Sequence, residues 1–522
     1  MSRCFNTTGP CISGRHYMLP ALERIPAALS LAEEGKYFVL HAPRQSGKTT
    51  SIRALRDELN RRGNCYAVYC SLEAQSVGSD SSMVTDKIAR QIQRSVKYDL
   101  KKPEVMSIPL NLDDNSFVIQ GLLSDICETL DKPLVLLLDE VDSIQGESLL
   151  SLLRQLRAGY ISRDDIPYPS SVALVGMRNI RDYRAQIRPE SESLGTGSPF
   201  NIVAEYLTIE VFTEEQIRGL YEQHTEDTGQ VFEEEAIKRV TYWTGGQPWL
   251  VNAIALECVE EICQKDTSRP ITAEMVDEAA HTIIRRRDVH IDSLLARLNE
   301  PRVRHVMEPV ILGKNFLEAR QKTPSFDNDL SLVLDLGLLR RDEKGRVVPA
   351  NRMYAEVFLR TLSFGYQELC RDSIPAPSWA RPDGLDMSAL LKGFQQFWRE
   401  NAEALTTRVR DYAEALPHLV LMGFLQRVVN GGGRIIREYA AGSGRLDLLV
   451  EFRGGRYPIE LKVKGNSSPA TAREQLLGYM DRIGCKEGWL VTFDRSPDVP
   501  WEDKTTWQTV QESGCTIHLV GA

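Results

Sequence analysis

Residues 36–50 read KYFVLHAPRQSGKTT, and the fold turns on this stretch. KYFVL is an apolar alternation of strand type. HAPRQSGKTT follows the phosphate-loop pattern G-x-x-x-x-G-K-[ST], except that Ala42 stands where the first Gly belongs. TSIRALRDELNRRG comes next, with apolar or small residues at helical spacing and a closing Gly63. Strand, loop and helix in this order are the context the motif needs. Consecutive backbone N–H groups can then surround a phosphate at a helix N-terminus, where the dipole favours an anion. Pro43, Arg44, Gln45, Ser46, Gly47, Lys48, Thr49 and Thr50 are the expected binding residues. Lys48 should reach the β- and γ-phosphates and Thr49 should ligate Mg²⁺, while Gly47 allows close approach. Ala42, the smallest replacement for glycine, needs only an ordinary turn.

Residues 133–142, PLVLLLDEVD, supply the partner motif. Leu134 to Leu138 form a continuous apolar run, which suits a strand buried on both faces. Two carboxylates follow at its C-terminal end, where open α/β sheets bind ligands. Asp139 is expected to hold Mg²⁺ through water, and Glu140 to polarise an attacking water. Together these motifs predict ATP as a ligand and its hydrolysis. A further strand, SVALVGM, ends at Arg178 and Asn179, where a γ-phosphate sensor could sit. TYWTGGQPWLVN then opens an amphipathic helix through Gly245, Gly246 and Pro248.

HAPRQSGKTT, LLLDEVD and TGGQPWLVN, with the lead-in FNTTGP and RHYMLPALERI, resemble the AAA-like ATPases of bacteria and archaea near the STAND and AAA+ groups. The resemblance spans roughly residues 1–285. It implies a helical lid, with the Gly-Gly-Gln-Pro turn near the nucleotide. It also implies a homo-oligomer in which an arginine reaches a neighbour's site. Arg154, Arg157, Arg285, Arg286 and Arg287 are candidates for that arginine, and each also reads as part of a solvated face.

The C-terminal third carries a second constellation. RLDLLVEF and RYPIELKV alternate cleanly around Arg-Gly-Gly-Arg, which predicts a hairpin turning at Gly454-Gly455. That turn would pair Arg453 with Arg456 and set Asp447 opposite Lys462, with Glu460 diagonal to Asp447 on the same face. Two carboxylates and a lysine at one point suit a Mg²⁺ site for phosphodiester hydrolysis. Asp447 and Glu460 would ligate the metal. Lys462 would position water or stabilise developing charge. The spacing D-x12-E-x-K, with Ile459-Glu460-Leu461-Lys462 its most telling piece, resembles the PD-(D/E)XK nucleases. The resemblance covers about residues 385–522 and departs from the pattern at Leu446, where Pro is usual. It implies that Gln475 and Tyr479, on a following helix, line the site, and that an upstream acid, with Glu414 the nearest match, completes the metal shell.

Between these regions, LGLLRRDEKGRVVPAN predicts a hairpin turning near Lys344-Gly345. Helices followed by such a hairpin look like a winged helix, used either to pack beside the ATPase or to bind DNA through Arg340, Arg341, Arg346 and Arg352. Pro375, Pro377, Pro382 and Gly384 mark a linker. The expected fold class is α/β: a P-loop NTPase parallel sheet with helical lid and winged helix, plus a C-terminal α/β restriction-endonuclease-like domain. The expected boundaries are 1–205 for the ATPase core, 206–290 for the lid and 291–365 for the winged helix; 366–387 is the linker and 388–522 the nuclease-like domain.

Composition sets outer bounds. At 522 residues the chain should divide into about three domains. No long uninterrupted apolar stretch predicts a membrane span, and MSRCFNTTGPCISGRHYM lacks a signal-peptide apolar region. The ten scattered cysteines, without a C-x-x-C pair, fit reduced thiols in a cytoplasm. A net charge of −9 argues against bulk nucleic-acid coating but permits a local basic groove. The whole predicts an ATP-dependent or ATP-regulated nuclease using ATP and Mg²⁺ on DNA, with RNA a weaker option, in defence against foreign DNA or mobile-element biology. The alternative is a signalling or scaffold ATPase whose nuclease-like domain only binds nucleic acid or a partner.

Overall fold

The computed structural model describes residues 3–73, 81–110, 117–144, 146–177, 202–286, 294, 296–298, 300–311, 325–358, 379–381, 384–408, 420–425, 433–441, 444–464, 469–494, 496 and 499–522. The chain forms two compact units. One comprises Met1–Val310 with Phe316–Glu356, the other Ile311–Asn315 with Val357–Ala522.

The first unit is built on five strands: β1 (Tyr37–His41), β2 (Tyr66–Ser71), β3 (Leu134–Asp139), β4 (Ser171–Gly176) and β5 (Val203–Thr208). They lie in the order β2-β3-β4-β1-β5, and every pairing is parallel. The run Leu134–Leu138 is apolar throughout because both its faces are covered. Leu134, Leu136 and Leu138 join one core, while Val135 and Leu137 join the other. β1 and β3 flank β4 and run parallel to it, so the loops after β1 and β3 open on the same rim. The helix Lys48–Arg62 starts at that rim, and Gly63 ends it in a left-handed conformation at φ 75°.

Four helices follow β5: Glu214–Thr228, Glu234–Thr244, Pro248–Leu256 and Ala273–Arg286. A capping box formed by Thr213 and Gln216 starts the first of them. Between the second and third, Gly245 and Gly246 take φ 56° and 78°. Gly246 accepts a hydrogen bond from the Phe212 backbone N–H at 2.8 Å. A Cβ on Gly246 would lie 2.0 Å from the Phe212 carbonyl oxygen. Gly246→Ala therefore combines a left-handed backbone with a clash against main chain. We expect it to cost about 2 kcal/mol or more, read as a lower midpoint of thermal unfolding. An unchanged midpoint would show that the turn relaxes freely.

The helices Pro301–Ile311 and Phe326–Asp335 lead into a hairpin of β6 (Leu339–Arg341) and β7 (Val347–Pro349). Its turn is held by Asp342, which accepts from the Lys344 and Arg346 backbone N–H groups and from the Arg346 guanidinium. Arg352 is half-buried and paired with Glu356 at 2.6 Å. Of the four arginines expected to contact phosphate, Arg346 and Arg352 are thus committed to carboxylates, while Arg340 and Arg341 are exposed. Gly337, at φ 69°, lies so close to the phosphate loop that a Cβ there would stand 2.3 Å from Pro43.

The second unit begins with a short hairpin of β8 (Ala380–Arg381) and β9 (Gly384–Leu385), which falls within the expected linker. Pro375, Pro377 and Pro382 lie outside the described residues. The helix Met387–Arg408 follows. A mixed sheet then contains β10 (Arg434–Ala441), β11 (Gly444–Phe452), β12 (Gly455–Val463), β13 (Glu487–Phe493), β14 (Trp507–Glu512) and β15 (Cys515–Gly521). Their order is β10-β11-β12-β13-β15-β14. The helix Met387–Arg408 packs on one face through Leu390, Phe394 and Trp398. The helix Pro469–Ile483 covers the other through Leu476, Tyr479 and Met480. Both faces of the β11–β12 hairpin are therefore buried.

The hairpin's register corrects the expected one. Phe452 pairs with Gly455 and Leu448 with Ile459. Arg453 and Gly454 form the turn, at φ 48° and 81°, as a primed two-residue turn requires. Gly455 is instead a strand residue, where a Cβ would lie 2.5 Å from the Tyr457 hydroxyl. The shift is two residues, so each side chain keeps its face. Continuing the register sets Asp447 opposite Glu460, not opposite Lys462.

Candidate functional sites

In the first unit, the phosphate loop continues β1. The Ala42 N–H donates to the Gly176 carbonyl at 3.2 Å, so Ala42 simply extends the sheet. Left-handed backbone appears later in the loop, at Gln45 (φ 57°) and Gly47 (φ 93°). Glycine is thus required at 47 but not at 42. Gly47 is the N-cap of the helix Lys48–Arg62.

Lys48 is 6% exposed. Its ammonium donates to the Ala42 and Pro43 carbonyls at 2.7 and 2.8 Å. Burial pushes its pKa down, opposed by Glu140, Asp142 and Asp139. The Thr49 hydroxyl donates to Asp139 Oδ2 at 2.8 Å, and the Tyr69 hydroxyl donates to the same oxygen at 3.0 Å. Asp139 Oδ1 accepts from the Glu140 backbone N–H at 2.9 Å. Glu140 adopts φ 58°, and burial, then the charges of Asp139 and Asp142, raise its pKa. A hydroxyl and a carboxylate in contact beside an ammonium make a donor set that fits Mg²⁺ and a phosphate chain.

A cavity of about 380 Å³ opens over these groups, lined also by Asn6, Cys11 and Trp249. The N-terminal segment is pinned there. The Trp249 indole donates to the Thr7 carbonyl at 2.8 Å, and the Cys11 N–H to the Thr50 hydroxyl at 3.1 Å. The Gly-Gly-Gln-Pro turn also reaches the loop, because the Gln247 amide lies 3.4 Å from the Gln45 carbonyl.

Sequence reasoning missed Arg24. Its guanidinium donates to the Ser46 carbonyl and to the Glu210 carbonyl, each at 2.7 Å. Burial lowers its pKa to about 10. It clamps the loop to the chain after β5. We expect Arg24→Ala to weaken nucleotide affinity about tenfold in a fluorescent-nucleotide titration, since hydrogen bonds from a charged group are worth about 1.5–3 kcal/mol. Unaltered affinity would mean that the loop holds its shape without the clamp.

Arg178, Asn179 and Arg287 lie outside the described residues. Arg154 and Arg285 are exposed, while Arg286 pairs with Glu257 at 2.8 Å. Arg157 is half-buried, with its Nε atom lacking a partner among the described residues.

In the second unit, Asp447, Glu460 and Lys462 converge. Asp447 Oδ2 accepts from the Leu461 N–H at 2.8 Å, and the Asp447 N–H lies 3.4 Å from Glu460 Oε2. Lys462 donates to Glu460 Oε1 at 2.8 Å. Glu460 is only 3% exposed, beneath the helix Pro469–Ile483. Burial and the Asp447 charge raise its pKa, against the pull of Lys462. The Lys462 pKa is also raised: burial lowers it, but the bond to Glu460 and the nearby carboxylates outweigh this. Tyr479 is buried in the core over this face, whereas Gln475 is exposed and makes no hydrogen bond among the described residues. Glu414 lies outside the described residues. Among the described residues, no group of three or more His, Cys, Asp or Glu could hold a metal ion. The nine described cysteines are free thiols, and no described helix is long and apolar enough to cross a membrane.

Among curated proteins, no relative matches the chain. Solved structures that match the chain include the Walker-type ATPase of Pyrococcus abyssi, at 13% identity and TM-score 0.47, covering 68% of this chain and 99% of that one. The Aeropyrum pernix ORC1 protein in complex with DNA matches at 16% identity and TM-score 0.35, covering 67% and 95%. The Thermotoga maritima RuvB Holliday junction branch migration motor matches at 15% and 0.33, covering 62% and 89%. Residues 32–183 match the family model described as AAA domain, and with its phosphate loop and parallel sheet this segment resembles an AAA-like P-loop ATPase domain.

Proposed function

We propose that the chain is an ATP-dependent or ATP-regulated, Mg²⁺-dependent nuclease acting on DNA. The observation that carries the reading is the convergence of Asp447, Glu460 and Lys462 at one point of the β11–β12 hairpin. Each carboxylate bonds the backbone beside the other, with one ammonium on Glu460, so a hard divalent cation fits the donor set. Mg²⁺ bound by Asp447 and Glu460 would polarise a phosphodiester and lower the pKa of a bound water. Lys462 would hold the attacking water or the non-bridging phosphate oxygens. In the ATPase domain, Lys48 would bind the phosphates, Thr49 and Asp139 would hold Mg²⁺, and Glu140 would orient the hydrolytic water. The domain acts as a switch or motor in a homo-oligomer. The helices and hairpin of residues 301–349 serve as a winged-helix adaptor.

One feature favours a second reading, a scaffold ATPase whose C-terminal unit binds nucleic acid or a partner without cutting it. Asp447 Oδ2 already accepts from the Leu461 N–H, and both Glu460 oxygens accept, Oε1 from Lys462 and Oε2 from the Asp447 N–H. Incubating plasmid and linear DNA with the purified chain and Mg²⁺, with and without ATP, separates the two. Metal-dependent cleavage that changes with ATP supports the nuclease. DNA binding that is insensitive to Mg²⁺, without cleavage, supports the scaffold.

A further inference from the structure

A cleft of about 470 Å³ opens on the ATPase unit and shares no lining residue with the nucleotide cavity. Arg53, Arg56 and Arg94 line it, with Tyr69, Tyr98 and Asp99. Its charge runs against that of the chain, whose net charge is −9. The single lining carboxylate is committed. Asp99 accepts the Tyr69 backbone N–H at 2.9 Å and meets Arg56 at 3.5 Å. Arg53 stacks over the Tyr69 ring at 4.9 Å. Arg94 is exposed and forms no ion pair among the described residues. Tyr98 is 75% exposed, with the Lys101 ammonium 6.0 Å from its ring centre.

An acid one turn away can neutralise an arginine on a helix surface. Here two arginines face a cavity beside an aromatic ring that burial does not explain. A guanidinium fork matches phosphate oxygens, and an exposed ring offers a face to any base. We propose that this cleft binds a single polynucleotide strand, with phosphates on Arg53 and Arg94 and a base stacked on Tyr98. The bound strand would lie one side chain from the ATPase centre, because the Tyr69 hydroxyl donates to Asp139. The proposal is independent of the C-terminal carboxylates.

The test is fluorescence anisotropy of a labelled oligothymidylate with the full chain, in EDTA so that cleavage plays no part, at several salt concentrations. The double variant Arg53→Ala/Arg94→Ala is expected to bind about tenfold more weakly or worse. Its salt slope should fall by about 1.4, the contribution of two phosphates on a single strand. Tyr98→Ala should weaken binding about tenfold and leave the slope unchanged. Arg94→Lys keeps the charge and should keep the slope, which separates lost contact from misfolding. Equal affinity and slope in the double variant would overturn the proposal, as would absence of binding to the unaltered chain. So would full competition by inorganic pyrophosphate together with no effect of Tyr98→Ala, which would mark a simple anion site.

Discussion

Lys48→Ala is expected to lower ATP affinity by at least about a hundredfold, or ~2.7 kcal/mol, in a calorimetric titration. The size follows from the position of this ammonium. It is buried among backbone carbonyls and three carboxylates, where a charge-assisted contact is poorly screened. Removing it also leaves Asp139 and Glu140 as uncompensated negative charges facing an anionic ligand. Ala42→Gly should leave affinity unchanged, because Ala42 already extends β1 with ordinary backbone. Tight ATP binding by Lys48→Ala would overturn the loop assignment.

On the proposed nuclease reading, Asp447→Ala should reduce Mg²⁺-dependent DNA cleavage about a thousandfold, since metal stabilisation of the transition state is worth several kcal/mol. Chelating the metal should have the same effect on the unaltered chain. Asp447 Oδ2 also accepts the Leu461 N–H, so the alanine variant loses a structural bond as well. Asp447→Asn retains an acceptor there and loses only the charge. If both variants lose cleavage while their unfolding midpoints stay close to the parent's, the loss belongs to the chemistry. Cleavage that survives in both would remove Asp447 from the site.

Much of the ATPase unit was legible because its signals are local. A strand, six loop residues and a helix lie within residues 37–62, and the buried strand at Leu134–Asp139 announces itself by unbroken apolarity. Arg24 was not legible. Its bond to Ser46 spans 22 positions, and nothing in its neighbours sets it apart from a surface arginine. In the second unit, alternation correctly sorted Asp447, Glu460 and Lys462 onto one face. It could not reveal that a later helix covers that face and buries Glu460. The turn was misjudged because glycine serves two needs. Gly454 supplies positive φ, whereas Gly455 supplies room for the Tyr457 ring, and a sequence does not distinguish them.

The Arg453-Gly454 turn also acts as a ruler. A slip of one residue would invert both faces of the hairpin, and two hydrophobic cores would resist it. A slip of two residues keeps every apolar side chain on its own side, so the cores are nearly blind to it. Such a slip would carry Asp447 past Glu460 to stand opposite Lys462. The turn alone therefore measures the distance between the two carboxylates, and a two-residue change in its length would retune or dismantle the site within an otherwise intact sheet.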